Sequence, residues 1–249
     1  MGIVIKSDRE IELMRQAGRI VAAVLEILKK EIKAGMKTSE LDAIAEKEIR
    51  LRNAEPSFKG YHGFPGSTCI SFNEQIVHGI PGERIIKEGD IVKIDLGAIY
   101  KGFQGDSAVT VAIGEVSPEA VNLMEATRGA LYAGILTARG GCRLGDVSSA
   151  IQDYAEARGF SVVREYTGHG IGRKMHEDPL IPNFGEPGTG PVLRRGMALA
   201  LEPMLNVGGW QTRIGDDGWV VLTMDGSLSA HFEHTIAVTE NGTEILTAL

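Results

Sequence analysis

The segment GMKTSEL (residues 35–41) recurs in pattern as GCRLGDV (residues 141–147). A helical pattern precedes each segment, and a second helical pattern followed by strand-like stretches comes after it. The order helix, helix, strands therefore occurs twice along the chain. We predict one domain, residues 1–249, with two similar lobes at about residues 1–115 and 116–249. The alternative, that this order is common and carries no duplication, stays open.

Helix boundaries are signalled most clearly in the first half. Ser7-Asp8-Arg9-Glu10 is a capping-box pattern and predicts a helix that starts there and ends near Gly35. A second helix is predicted from about Thr38, and a third over residues 118–138. Alternating apolar residues predict strands within residues 68–113 and, in the second half, within residues 161–167, 197–204, 219–224 and 232–239.

Bulk composition excludes several classes of protein. The net charge of −7 over 249 residues argues against a nucleic-acid partner, because such proteins usually present a basic face. Two cysteines, Cys69 and Cys142, can form neither a disulfide framework nor a four-cysteine zinc site. No apolar run reaches the ~18 residues of a membrane span. We expect a cytoplasmic protein, monomeric, without a membrane or nucleic-acid partner.

Two aspartates occupy strand-like segments of the first half. Residues 91–97 (IVKIDLG) alternate so that Asp95 lies on the face opposite its apolar neighbours. Asp106 follows after a turn, and a hairpin centred between Tyr100 and Lys101 would place the two aspartates opposite each other. Their Cβ atoms would then be roughly 4.5–5.5 Å apart. Such a pair repels unless a cation separates the charges or one carboxyl stays protonated. The alternative is that Asp106 caps a turn.

Two glutamates occupy comparable positions in the second half. Glu202 shares its strand face only with Ala198 and Ala200, which leaves room for an ion beside the carboxylate. Glu233 lies in a largely apolar strand pattern and is expected to share a face with His231 and Thr235. An unpaired carboxylate on a buried strand is costly. Both glutamates are therefore candidate metal ligands.

All six histidines follow residue 61 and lie beside glycines or acidic residues. Adding His169 to the four carboxylates gives a set that is rich in oxygen and has one imidazole. Such a set suits Mn²⁺, Fe²⁺ or Co²⁺, and it also accepts Zn²⁺. Four carboxylates exceed what one catalytic zinc binds, whereas they balance two divalent cations roughly 3.5–4 Å apart. The predicted ligands are Asp95, Asp106, His169, Glu202 and Glu233.

Taken in order, the chemistry-bearing segments resemble type I methionine aminopeptidases. They are VHGIP (residues 77–81), the Asp95/Asp106 pair, GHGIG (168–172), MHEDP (175–179), ALEPM (200–204) and HFEHT (231–235). The resemblance covers nearly the whole chain and is to the short form, without a cysteine-rich extension. It implies an α/β (α+β) pita-bread fold, in which a curved, mainly antiparallel sheet is backed by helices with pseudo-twofold symmetry.

The resemblance also implies roles for individual residues. Asp106 and Glu233 would bridge two metal ions, Asp95 would complete one site, and His169 with Glu202 the other. The implied reaction removes the initiator methionine of nascent polypeptides when the second residue is small, as a water between the ions attacks the first peptide carbonyl. The partners implied are nascent chains and the ribosome. Three residues would act directly on the substrate: Glu202 as proton shuttle, His176 on the tetrahedral intermediate, and His78 on the substrate backbone or departing nitrogen.

A side-chain pocket for methionine follows from the same resemblance, since thioethers pack well against aromatic edges. Each residue could instead belong to the core. The remaining histidines have other predicted places: His62 at the pocket wall, His231 hydrogen-bonded to a metal ligand, and His234 facing away. The predicted pocket residues are Phe58, Tyr61, Phe64, Cys69, Met175 and Trp219.

Three alternatives remain open. A prolidase or aminopeptidase P would carry an additional N-terminal domain, whereas this chain begins its first predicted helix at about residue 7. A non-catalytic binding module of the same fold would have lost metal ligands, which this sequence retains. A cysteine hydrolase using Cys69 would leave the four strand carboxylates unexplained.

Overall fold

The computed structural model describes residues 2–240 and 242–249. Four helices form where the apolar periodicity predicts them. None of the described helices has the length and apolar character needed to cross a membrane. The helices are α1 (Asp8–Glu31), α2 (Thr38–Leu51), α3 (Pro118–Thr137) and α4 (Leu144–Glu156), with one 3₁₀ turn at Tyr61–Gly63.

The strands are short except for one long hairpin. They pair antiparallel throughout the described ladders. The strands of the first half are β1 (Glu55–Pro56), β2 (Thr68–Phe72), β3 (Gln75–Val77), β4 (Ile91–Tyr100) and β5 (Phe103–Ala112). Those of the second half are β6 (Ser161–Val162), β7 (Gly168–Gly170), β8 (Glu177–Ile181), β9 (Ala198–Leu201), β10 (Met204–Asn206), β11 (Thr212–Ile214), β12 (Val221–Thr223), β13 (Ser229–His231), β14 (His234–Thr239) and β15 (Gly242–Ile245).

Four sheets result from this pairing. In the first half β4 pairs with β1, β2 and β5. In the second half five strands run in the order β15-β14-β9-β7-β8, and three more in the order β13-β10-β6. The fourth sheet, β11-β12-β3, joins a strand of the first half to a hairpin of the second.

The two segments singled out in the sequence begin their helices in the same way. Lys37 and Arg143 are the N-cap residues of α2 and α4, and their backbone N–H groups donate to Glu40 and Asp146, each at 2.7 Å. Each N-cap also forms an isolated bridge, Lys37 to Ile85 and Arg143 to Val192. A carboxylate at the third helical position satisfies an orphan N–H group of the helix start. The repeated pattern therefore corresponds to a repeated local structure.

Each helix pair covers one part of the sheet structure with its own core. Helices α1 and α2 pack on β2 and β4, with Leu28 and Ile94 among the fully buried side chains. Helices α3 and α4 pack on β9, β10 and β14, with Leu131 and Leu199 buried. On β9, Leu199 faces the α3–α4 core, whereas Ala198 and Ala200 face a third cluster that includes Ile11 and Met14 of α1.

The β4–β5 hairpin has a different register from the predicted one. Asp95 pairs with Ala108 and Asp106 pairs with Gly97, so the two aspartates are diagonal neighbours on one face rather than directly opposed. The hairpin is centred between Lys101 and Gly102, whose φ angles are 48° and 79°. A two-residue turn with positive φ at both positions matches the twist of the strands. The prediction of a hairpin centred between Tyr100 and Lys101 is therefore wrong: the centre lies one residue later, which shifts each pairing partner on β5 by two residues.

The predicted strands at 197–204 and 232–239 are each interrupted. The first breaks at Glu202-Pro203 and the second at Phe232-Glu233. Because Leu201 pairs with His234 and Met204 pairs with His231, the two breaks lie at the same level. Proline has no N–H group to donate to a ladder. Both glutamates therefore project from a gap between two sheets.

The first helix also ends earlier than predicted. Its last residue is Glu31, and Ile32 caps it in an extended conformation. Gly35, with φ of 88°, belongs to the turn between α1 and α2 instead of stopping α1. Its start agrees with the prediction, since Ser7 and Glu10 form the reciprocal capping box.

Candidate metal centre and active site

The five predicted metal ligands lie around one cavity of about 210 Å³. Each comes from a different element of the described chain. Asp95 and Asp106 project from the β4–β5 hairpin, and His169 from β7. Glu202 and Glu233 project from the paired strand breaks described above. The cavity therefore collects side chains from both halves.

Three of these residues converge closely enough to share one ion. Asp106, His169 and Glu233 each offer a ligand atom, and these atoms lie within 4.8 Å of one another. His169 Nε2 lies 3.5 Å from Glu202 Oε1 and 3.9 Å from Asp106 Oδ2. His169 Nδ1 lies 2.9 Å from the carbonyl oxygen of Gly170. Since a carbonyl oxygen only accepts, Nδ1 carries the proton, and Nε2 is the free donor atom for a metal.

Burial raises the pKa of all four carboxyls, and repulsion from neighbouring carboxylates raises it further for three of them. Desolvation raises the pKa of Asp95 and Glu233 well above their usual values, with repulsion from Asp106 as the next cause. Desolvation raises the pKa of Asp106 to about 7. Burial, followed by repulsion from Asp106, raises the pKa of Glu202 well above its usual value. Burial conversely lowers the pKa of His169 to about 3, so its imidazole is neutral. Neutral imidazole is the form that binds metals.

Several buried carboxylate oxygens lack hydrogen-bond partners among the described residues. They are Asp95 Oδ1, Asp106 Oδ1 and Glu233 Oε1. No lysine or arginine forms an ion pair with these groups in the described part of the chain. Buried charges are normally paired or coordinate a metal. The donor set, oxygen-rich with one imidazole, therefore fits hard or borderline divalent cations.

Hydroxyl groups fix the backbone beside the ligands, and the sequence analysis did not identify most of them. Thr235 Oγ1 donates to the carbonyl of Asp106 and accepts from its N–H, at 2.7 and 3.0 Å. Ser107 Oγ donates to the carbonyl of Glu233 at 2.6 Å, and Glu233 N donates to Ala108 O at 2.9 Å. These bonds join β5 to the second half. In the sequence, the only sign of these contacts is that a hydroxyl residue lies next to or near each acidic residue, Ser107 after Asp106 and Thr235 after Glu233.

Besides His169, three histidines line the cavity: His62, His78 and His176. The phenol of Tyr61 lies 2.8 Å from His176 Nδ1, and the His176 and His169 ring centroids are 4.3 Å apart. Burial is the main cause that lowers the pKa of His176, and it raises the pKa of Tyr61. The phenol is therefore protonated and donates to Nδ1, which leaves the His176 proton on Nε2. Burial lowers the pKa of His78 to about 4, so His78 is also neutral.

The aromatic wall of the cavity matches most of the predicted pocket. Phe64 and Trp219 contact edge to face with centroids 5.2 Å apart. Met175 is the exception, because it packs behind the wall with Phe103 and Ile171 rather than lining the cavity. Its Cε would lie 2.8 Å from a Cβ placed at Gly97, so it lies directly against the β4 backbone. The predicted pocket residues that line the cavity are Phe58, Tyr61, Phe64, Cys69 and Trp219.

The remaining histidines and Cys69 occupy distinct places. His62 is exposed at the cavity wall, while His234 lies on the other side and hydrogen-bonds Thr247 at 2.9 Å. His231 is buried with Nε2 3.9 Å from Glu202 Oε2, and neither ring nitrogen has a hydrogen-bond partner in the described structure. Burial and the neighbouring carboxylates raise the pKa of the Cys69 thiol well above its usual range. A thiol is the wrong form for a nucleophile, which argues against the cysteine hydrolase.

Sequence comparisons identify full-length relatives. A profile of metallopeptidase family M24 matches residues 12–240. Methionine aminopeptidase 1 of Bacillus subtilis is 54% identical over 245 residues, covering 98% of this chain and 99% of the relative. The methionine aminopeptidase of Clostridium acetobutylicum is 53% identical over 246 residues, covering 98% of each chain.

Solved structures agree with the sequence relatives. The crystal structure of methionine aminopeptidase from Thermotoga maritima superposes with a TM-score of 0.98 at 48% identity, covering both chains completely. Prolidase from Pyrococcus furiosus superposes with a TM-score of 0.81 at 25% identity, but only 66% of that chain is covered. This chain thus matches the whole of the first structure and part of the second.

Proposed function

The chain belongs to metallopeptidase family M24, among its methionine aminopeptidases, and we propose that it removes the initiator methionine with two divalent metal ions bound at the cavity. The observation that carries this proposal is the convergence of Asp106, His169 and Glu233 in a full-length relative of these enzymes. The pita-bread fold and the aminopeptidase class expected from the sequence are both confirmed by these relatives. The proposed ligands are Asp95, Asp106, His169, Glu202 and Glu233.

Charge balance supports two ions rather than one. Four buried carboxylates carry four negative charges when ionised, and their raised pKa values show how unfavourable that state is without cations. Two divalent cations would neutralise all four. As the resemblance to type I methionine aminopeptidases implies, Asp106 and Glu233 would be shared by both ions, Asp95 would complete one site, and His169 with Glu202 would complete the other. The ions proposed are Mn²⁺, Fe²⁺, Co²⁺ or Zn²⁺.

The ions, when bound, supply a Lewis acid toward the peptide carbonyl and activate the attacking water. The protein residues then supply proton transfer and orientation. Glu202 would accept the proton of the water and return it to the leaving amine, the role of a positioned carboxylate in general acid–base catalysis. His176, with its proton on Nε2, donates a hydrogen bond to the oxygen that gains charge. Neutral His78 contacts the substrate backbone or the departing nitrogen.

Specificity is proposed to come from the aromatic wall. A cavity of about 210 Å³ is large enough for a side chain and too small for a folded chain, which suits an enzyme that acts on a flexible chain end. Phe64, Trp219 and Tyr61 offer the ring edges against which a thioether packs favourably. The substrates proposed are nascent polypeptides with a small second residue, which places the enzyme in the cytoplasm with access to chains emerging from the ribosome. Both cysteines are free, as a reducing compartment favours.

Three peptides separate the candidate functions. With Mn²⁺ or Co²⁺ added, the protein is expected to release methionine from Met-Ala-Ser but not from Met-Lys-Ser, and to leave Ala-Pro intact. Cleavage of Ala-Pro would instead identify a prolidase. Absence of turnover on all three peptides with every metal tested would identify a non-catalytic binding module.

A further inference from the structure

A buried ion pair ties the N-terminal segment to the loop that carries His176. Lys6 Nζ lies 2.8 Å from Glu177 Oε2, and only 3% and 9% of the two side chains are exposed. Neither residue lines the catalytic cavity. Burying two charges is costly because both lose their hydration. The presence of this pair is therefore not explained by charge balance at the surface.

Glu177 closes the turn in which His176 lies. Its Oε1 accepts a hydrogen bond from the backbone N–H of Lys174 at 3.2 Å, while its Oε2 is bound by Lys6. The carboxylate thus spans residues 174–177, and His176 is the residue directly before it. Without Lys6, Glu177 would be a buried carboxylate without a cation, and either protonation or movement of the side chain would weaken the hydrogen bond that closes the turn.

Lys6 is itself held in place from two directions. Its backbone N–H donates to the carbonyl of Gly196 at 2.8 Å, in the turn before β9, and its Nζ also donates to Val4 O at 3.2 Å. The ion pair lies against the backbone of Gly172, where an added Cβ would be 2.6 Å from Glu177 Oε1 and 2.7 Å from Lys6 Cε. Gly172 ends the segment that carries His169. The pair therefore packs between elements that carry a proposed ligand and a substrate-binding histidine.

We propose that Lys6 and Glu177 are positioning residues that hold the His176 imidazole at the substrate. This inference rests on the proposed function of His176. Among the described residues, the His176 side chain otherwise hydrogen-bonds Tyr61 and contacts the rings of Tyr61 and His169. These contacts orient the ring but do not fix the turn. A shift of about 1 Å in a group that binds the reacting centre can cost roughly 10²-fold in rate.

Four variants of the full chain, loaded with Mn²⁺, test the proposal on Met-Ala-Ser well below the melting temperature. Lys6→Met and Glu177→Gln are expected to lower kcat roughly 10- to 100-fold at unchanged KM and metal stoichiometry. Lys6→Arg keeps the charge and is expected to retain most of the activity. The double variant Lys6→Met/Glu177→Met leaves no unpaired buried charge, so it is expected to regain thermal stability but not kcat.

Two measurements distinguish positioning from a purely structural contribution. Lys37→Met removes a lysine from the exposed ion pair with Glu83 and serves as the matched control, with kcat expected to be unchanged. In the metal-free protein, the His176 ring resonances are expected to shift in Lys6→Met, while those of His234 on the opposite side stay in place. Recovery of kcat together with stability in the double variant would overturn the proposal, as would unshifted His176 resonances.

Failure of the proposed function gives a different result. A wild-type protein that releases no methionine from Met-Ala-Ser would contradict the aminopeptidase assignment. The resonance measurement would still decide whether Lys6 and Glu177 position His176, because it needs neither metal nor turnover.

Discussion

Replacing Asp106 by asparagine is expected to stabilise the metal-free protein while abolishing its metal response. The pKa of Asp106 is about 7 in the folded protein against an ordinary value of 3.8. A carboxyl whose pKa is raised by folding contributes stability that is complete below pH 4 and is lost as the pH rises towards 7. At pH 8 the folded wild-type protein therefore bears the cost of an ionised, buried Asp106.

The size of this cost follows from the pKa difference. About 3 pH units at ~1.4 kcal/mol per unit give an upper bound of about 4 kcal/mol. Because Asp106 titrates together with the neighbouring carboxyls Asp95, Glu202 and Glu233, one substitution is expected to recover only part of this bound. Half of it would raise Tm by roughly 4–8 °C for a chain of this length. The gain is expected to shrink towards zero as the pH falls to about 4.

Thermal unfolding with and without metal measures both effects. In EDTA at pH 8, the Tm of Asp106→Asn is expected to exceed that of wild type. The control Glu125→Gln removes a charge from the exposed face of α3, and its Tm is expected to equal that of wild type. With Mn²⁺ at about 100 times its Kd, wild type gains about 2.7 kcal/mol and Asp106→Asn gains little. A metal-free variant less stable than wild type, or one with the full metal response, would refute the reasoning.

The other predictions concern the remaining parts of the site. Glu233→Gln is expected to lower kcat/KM at least ~10²-fold, since it removes a bridging charge, and wild-type turnover would contradict a bridged pair. His176→Ala is expected to lower kcat roughly 10²- to 10³-fold with metal stoichiometry intact, as measured by elemental analysis; loss of bound metal would mean that its role is misassigned. Metal binding is expected to release protons, about 0.9 from Asp106 alone at pH 6 given its pKa of about 7, and fewer at pH 8. Calorimetry in buffers of different ionisation enthalpy counts them, and release that grows with pH would be inconsistent with raised carboxyl pKa values.

Local signals predicted the helices, and they also singled out acidic residues that the structure brings to one cavity. The capping box at Ser7 and Glu10 acts over three residues, so sequence alone locates the start of α1. Acidic residues in buried strand patterns were equally informative, because a carboxylate there needs a partner. The convergence of Asp106, His169 and Glu233 follows that expectation.

Features that depend on an unusual backbone conformation or on distant contacts were not predicted. The hairpin register depends on Lys101 adopting a φ of 48°, a conformation that a lysine in the sequence does not predict. The strand break at Glu233 depends on its N–H group binding the carbonyl of Ala108 in the other half. Lys6 and Glu177 are 171 residues apart, and neither sequence neighbourhood indicates the other.

Carboxylates from both halves of the chain are proposed to hold a pair of divalent cations. Anomalous diffraction from crystals of the Mn²⁺- or Co²⁺-loaded protein, recorded at the absorption edge of the metal, counts the ions and identifies their ligands. Two peaks are expected roughly 3.5–4 Å apart, with Asp106 and Glu233 contacting both. A map without a peak among these carboxylates at saturating metal would contradict it.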